Sequence, residues 1–247
     1  MNHKTPWSTL SRSVSSVRLG WTACLTLFGY YSVSGAPGLM FYDSAELALV
    51  AKLPGLGHPP GQPLHTLLGH LASRLWPVDE PQALNLLSAL ATSLFVWPIL
   101  ALADLGAADR RRTDQTQADP GPSSRHASML RSVYRLLFLL VTLSHAVFWE
   151  PATRTEVYPL ATLLALCGLA KMFRILQSPA APSPKGAWMN AGLFFGLSAA
   201  ANPVIALVAA LCILPRLLHL VCTSRIGRTG CLHAIVGGCI GLLPYLW

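Results

Sequence analysis

Seven apolar runs follow one another along this chain: residues 19–36, 84–105, 133–149, 158–173, 187–201, 204–218 and 232–247. A helix that crosses the hydrocarbon of a bilayer needs about 20 mostly apolar residues, with some scatter. Only 11% of the residues are charged and 53% are hydrophobic. An ordinary soluble domain carries about 25% charged residues to coat its surface. The sequence therefore predicts an all-α polytopic membrane protein with about seven transmembrane helices. It excludes a soluble enzyme, a secreted disulfide scaffold and a disordered chain.

The runs at 187–201 and 204–218 are separated by Asn202-Pro203. Asn-Pro is a turn signal, so two spans are expected there; one long kinked helix is the competing reading. The segment 64–76 carries His65, His70 and Arg74 and is too short and too polar to cross. It is placed at the membrane interface.

Charge gives the orientation. With the N-terminus (1–18) cytoplasmic, 15 of the 18 Lys and Arg residues fall in cytoplasmic pieces. Lys52, Arg74 and Arg154 are the three outside. That is the bias of the positive-inside rule. The formal charge of +8 is scattered over short loops, so it reads as topology and no nucleic-acid partner is expected. A cleavable signal peptide is the alternative for the N-terminal stretch, ending at Ser34-Gly35-Ala36. Residues 107–131, rich in Arg, Asp, Pro, Ser and Thr, read as a flexible cytoplasmic loop. Cys24, Cys167, Cys212 and Cys239 lie in spans, and Cys222 and Cys231 in a cytoplasmic loop, so no disulfide framework is implied. No Cys/His spacing suggests a metal site.

The first outside loop (37–83) holds the unusual chemistry. It reads Phe41-Tyr42-Asp43-Ser44-Ala45-Glu46-Leu47, and then Leu56-Gly57-His58-Pro59-Pro60-Gly61-Gln62-Pro63-Leu64. On a helix Asp43 and Glu46 share one face. The same spacing makes a capping box, with Asp43 as N-cap and Glu46 reaching back. His58-Pro59-Pro60-Gly61 is a rigid turn: two prolines fix φ and glycine lets the chain reverse. It is either a plain connector or a place where a histidine holds a phosphate or moves a proton. Asn85 opens the second span and reads as an N-cap or a site residue. Arg154 and Glu156 sit in the short loop before the fourth span, where they pair, cap the span or serve the site.

The order of these features is more specific than any one of them. Asp-Ser-x-Glu-Leu is followed by His-Pro-Pro-Gly-x-Pro-Leu, Leu-Leu-Gly and Asn85-Leu86-Leu87-Ser88-Ala89. Then come Phe148-Trp149, Ala152, Glu156-Val157-Tyr158-x-Leu160 and Gly241-Leu242-Leu243-Pro244-Tyr245-Leu246. From about residue 41 to 247 the chain resembles the membrane O-mannosyltransferase family of the plexin and MET-receptor IPT-domain type, with its bacterial relatives, within the GT-C glycosyltransferase superfamily.

The resemblance implies a GT-C-like helical bundle with an interfacial helical first outside loop. It implies transfer of a sugar, mannose first, from a polyprenyl-phosphate (dolichyl-phosphate type) donor. The acceptor is a hydroxyl of a protein or other molecule on the outer or luminal face. Asp43 matches the acidic base, with Glu46 as second candidate. His58, His65, Arg154 and Glu156 are the candidates for holding the donor. No cofactor and no metal are expected beyond the lipid-linked sugar itself. Membrane lipid is a further partner, and the membrane is the bacterial plasma membrane or, in a eukaryote, the endoplasmic reticulum.

Several positions depart from the family pattern. Tyr42 and Ala45 stand where glycine is common, Gln62 where an aromatic is common, and no histidine occurs in Ala200-Ala201-Asn202. Full members continue with more spans and a soluble C-terminal part, whereas this sequence ends at Trp247. A truncated or inactive membrane subunit and a transporter or flippase are therefore the alternatives to an active transferase.

Overall fold

The computed structural model describes residues 6–40, 43–53, 55, 57–114, 125–177, 184–222 and 228–246. Among the described residues each apolar run is mostly helical, and no strand occurs. Among the described residues two helical stretches are long and apolar enough to cross a membrane, Glu80–Ala107 and Tyr158–Leu176. A third arises if Ser132–Leu143 and Ala146–Ala152, bent by 66° at their junction, form one broken span. The apolar helices Pro203–His219 and Thr229–Gly241 are shorter. All six cysteines are free.

Helix α1 (Pro6–Val33) leads into the loop that carries the candidate site. It buries Ala23, Leu27 and Tyr31 against Val96, Leu139, Leu143 and Ala152. The short helices α2 (Ser44–Lys52) and α3 (Pro63–Leu75) fold onto α4 (Glu80–Ser93). Ala48 and Ala51 of α2 pack on Leu84 of α4. Gly69 of α3 makes this possible: a Cβ there would lie 2.5 Å from the Leu84 side chain and 3.2 Å from Ala51. Lys52 and Glu80 close the same junction with a 3.0 Å ion pair. The segment expected at the interface is thus α3, with one face packed into the bundle.

Helix α4 starts earlier than the sequence suggests. Asp79 is its N-cap, accepting the Gln82 N–H at 2.9 Å, and a proline follows in the first turn. Asn85 is therefore inside the helix and free for another task. Helix α5 (Val96–Asp114) continues the same span, and α6 begins at Arg125 (Arg125–Leu143). Much of the segment read as a flexible loop is thus helical: 107–114 and 125–131 lie in α5 and α6. Residues 115–124 of that loop lie outside the described residues.

The α6–α7 break positions the second half of the site. Helix α7 (Ala146–Ala152) is capped by His145, whose ring nitrogen accepts from Val147 N–H at 3.4 Å. A break in a helix frees carbonyls that must find donors. The buried Tyr31 hydroxyl donates to one of them, the Leu143 carbonyl. At the far end of α7, Ala36 N–H donates to the Thr153 carbonyl at 2.7 Å, and Trp149 Nε1–H donates to Ser34 Oγ at 3.1 Å. Trp149 is thereby tied to the loop after α1.

Beyond the site, α8 (Tyr158–Leu176), α9 (Lys185–Ala201), α10 (Pro203–Cys222) and α11 (Arg228–Gly241) pack together. The helix breaks at Asn202, which takes extended backbone, and the Asn202 side chain accepts the Val204 N–H at 3.0 Å. Ile213 of α10 shares a core with Met172 and Leu176 at the end of α8 and Trp188 at the start of α9. The chain therefore reverses at Asn-Pro, as a turn and not as one kinked helix. Helices α9 and α11 meet backbone to backbone: a Cβ on Gly192 would lie 1.9 Å from the Ala234 carbonyl oxygen, and one on Gly237 2.0 Å from that of Met189. Small residues permit such close approach in membrane helices.

Candidate functional site

Asp43, Glu46 and His58 come together at the head of α2. Asp43 occupies the N-cap position, but with helical backbone and no side-chain cap hydrogen bond. Glu46 does not reach back to it. The capping box is therefore not formed, because Glu46 has a stronger partner. Its carboxylate accepts from the His58 backbone N–H and lies 2.9 Å from the ring Nδ1. Across the ring, His58 Nε2 is 3.8 Å from Asp43 Oδ2.

The Pro-Pro-Gly turn delivers His58 to this place. Gly61 N–H donates to the His58 carbonyl at 2.8 Å, with Gly61 at φ 90°. Gly57 lies against the carboxylate: a Cβ there would sit 3.3 Å from Glu46 Oε1. The His58–Glu46 bond shifts the two groups in opposite directions. The backbone and ring hydrogen bonds from His58 hold the Glu46 carboxyl below its ordinary range, and the Glu46 carboxylate pushes the His58 imidazole up. Asp43 retains 58% side-chain exposure, so it is the open carboxylate of this group.

Arg154 and Glu156 approach from the loop 153–157. Arg154 Nε lies 3.0 Å from Glu156 Oε1, and its terminal NH1 lies 2.9 Å from Glu150 Oε1. Glu156 is only 12% exposed, whereas Glu150 is 58% exposed. Burial pushes the Glu156 carboxyl above its ordinary range; Arg154 pulls it back, and the charges of Asp43 and Glu150 push it further up. The Asp43 charge is thus one of the smaller influences on Glu156. The pairing expected of Arg154 and Glu156 is present, with Glu150 as a third member.

Small polar side chains stitch these loops together. Ser44 Oγ, next to Asp43, donates to the Thr155 carbonyl at 3.3 Å. The buried Thr155 hydroxyl donates to Asn85 Oδ1 at 2.8 Å, and Asn85 Nδ2 donates to the Ala36 carbonyl at 2.9 Å. Ser88 Oγ is 3.3 Å from both the backbone N–H and the carbonyl of Glu156. Asn85 is not the N-cap: it ties the α1 end to the 153–157 loop. An open cavity of about 220 Å³ lies behind this tie, between Tyr31, Ser32, Gln82 and Asn85. It includes none of the six candidate residues.

His65 stands apart. It is 1% exposed on the inner face of α3, and both ring nitrogens lack a hydrogen-bond partner. Burial pushes its imidazole down to about 4, so the ring is neutral near pH 7. In this conformation it offers a phosphate neither charge nor access. One turn before it, Gln62 has φ 37° and a buried Oε1 that also lacks a partner. Left-handed backbone in a non-glycine residue is strained and clusters at functional sites. The sequence reading noted Gln62 only as a departure from the family pattern and missed Thr155, Ser44 and Ser88. Gln62, Ser44 and Ser88 lie inside the quoted motifs, and that was the available signal.

The site can accept a proton at Asp43 and can present a guanidinium at Arg154 to an anion. Among the described residues no group of three or more His, Cys, Asp or Glu side chains has metal-holding geometry. Residues 43–224 match the family model described as protein O-mannosyl-transferase TMEM260 N-terminal domain. No curated protein and no solved structure matches the chain.

Proposed function

The chain belongs to the family of the protein O-mannosyl-transferase TMEM260 N-terminal domain, and from that membership we propose that it transfers a mannosyl residue to a protein hydroxyl. The proposed donor is a polyprenyl-phosphate mannose in the membrane, and the proposed acceptor is of the IPT-domain type. The bundle is of GT-C type with about seven spans, and it faces its first loop to the outer or luminal side of a bacterial plasma membrane or the endoplasmic reticulum. A metal is not part of this reading.

Asp43 takes the proton of the acceptor hydroxyl as the oxygen attacks the anomeric carbon. The lipid phosphate leaves from the opposite side, so the configuration inverts. Arg154 faces that phosphate: Glu156 holds its inner edge, and the exposed Glu150 gives way to the incoming anion. The observation that supports this assignment best is the contrast among the carboxylates. Glu46 is engaged by His58 and Glu156 by Arg154, while Asp43 stays open to solvent.

The test is a transfer assay on the full-length protein in native membranes. Labelled polyprenyl-phosphate mannose is offered beside a nucleotide-linked mannose with the lipid carrier pool blocked. The proposal expects label on acceptor protein from the lipid donor alone. Transfer from the nucleotide sugar, or movement of the lipid across the bilayer without transfer, overturns it.

A further inference from the structure

Glu46 grips His58 at two points, the backbone N–H and Nδ1. Holding Nδ1–H in that bond fixes the tautomer of the neutral ring, so Nε2 is the free acceptor. That nitrogen is directed at Asp43, 3.8 Å from its Oδ2. The distance is beyond a hydrogen bond, and a small rotation of the exposed Asp43 side chain closes it. A base that receives a proton in each turnover must also lose it. Glu156, a second carboxyl on which the Asp43 charge acts, is paired with Arg154.

We propose that His58, oriented by Glu46, relays the acceptor's proton away from Asp43. The inference rests on the transferase reading above. The O–H bond of the acceptor breaks, and its electron pair forms the bond to the anomeric carbon. The bond from that carbon to the phosphate oxygen breaks, and the phosphate leaves with the pair. The proton goes to Asp43 Oδ2, then to His58 Nε2, and from the exposed ring to bulk water. Asp43 is a catalytic residue in this scheme, His58 its proton acceptor, and Glu46 a positioning residue that acts through His58.

The charged groups acting on His58 are Glu46 and Asp43; Glu46 raises its proton affinity most, through the side-chain hydrogen bond. The rate should rise with pH as the ring becomes able to accept. Removing the Glu46 charge lowers the proton affinity of His58, so the rise should move to lower pH.

The experiment measures kcat and donor KM against pH for the full-length wild type, His58→Ala and Glu46→Gln in native membranes. His58→Ala is expected to lower kcat about a hundredfold, the lower end of general acid–base effects, with donor KM unchanged. Added imidazole should restore part of that kcat, which a merely structural role would not allow. Glu46→Gln should shift the rising limb toward acid. A His58→Ala kcat within about twofold of wild type, far below that range, overturns the relay. So does a limb that Glu46→Gln leaves in place. If transfer needs Asp43 but ignores His58, the relay alone falls; if the wild type transfers nothing, both readings fall.

Discussion

The Glu46 carboxylate reaches from the first turn of α2 to the Pro-Pro-Gly turn and lies 2.9 Å from His58 Nδ1, while it also accepts the His58 backbone N–H. One side chain thereby fixes both the path of the loop and the orientation of the ring that faces Asp43. The alternative use of Glu46, as the returning arm of a capping box, is given up for it.

The tie through Thr155 and Asn85 predicts a joint loss of stability and activity. Thr155→Val keeps the shape but leaves the buried Asn85 Oδ1 without its donor. A buried acceptor stripped of its partner costs about 1–3 kcal/mol. Denaturant unfolding in detergent should show that loss. Transfer should fall as well, since Thr155 lies between Arg154 and Glu156 and accepts from Ser44 beside Asp43.

Two glycines predict different costs for the same substitution. Gly237→Ala places a methyl 2.0 Å from a backbone carbonyl oxygen of α9. Neither helix can give locally, so the cost should reach about 3 kcal/mol, the upper part of the overpacking range. Gly69→Ala meets the Leu84 side chain at 2.5 Å. That methyl can rotate away, and the cost should be nearer 1 kcal/mol, the lower part of that range. Thermal unfolding of the two variants checks the order.

Glu150 and Glu156 share Arg154 but differ in burial. Glu150→Gln frees the outer edge of the guanidinium and should lower the donor KM severalfold. Glu156→Gln loosens the inner edge, and its donor KM should rise. Initial rates against donor concentration distinguish the pair, and equal effects of the two variants would contradict the arrangement.

His65 predicts a gain. Its two ring nitrogens are buried without partners, and such groups cost about 1–3 kcal/mol each. His65→Met fills similar volume without them, so stability should hold or rise. If the ring nitrogens serve only the interior of α3, transfer should be retained; lost transfer with intact folding would mean that His65 meets the substrate.

The helices were legible because apolar runs of that length have no other stable form. The Asn202-Pro203 turn was legible for a local reason: proline removes a donor, and asparagine caps the helix that follows. Span number was less so, since α6 and α7 read as one run, and the Tyr31 hydroxyl that satisfies a carbonyl at their bend comes from a distant helix. The acidic loop was visible as a cluster of unlike residues, and the pairing of Arg154 with Glu156 followed from their closeness in sequence. What spacing did not show was which partner each polar group chooses. Asp43 and Glu46 satisfy a capping-box pattern, yet His58, twelve residues on, outcompetes the local bond. Asn85 likewise looks like a cap until Asp79 takes that place. His65 read as a phosphate ligand by residue type, and only burial reveals it as neutral and enclosed.

The most direct measurement is the transfer rate of full-length Asp43→Asn, which keeps size and polarity but cannot take a proton. The wild-type protein and the variant should be compared in native membranes at equal abundance, with polyprenyl-phosphate mannose and a protein acceptor. The account predicts a fall in kcat of at least about a hundredfold, with the melting temperature and donor KM unchanged. A variant that folds and transfers at the wild-type rate would contradict it.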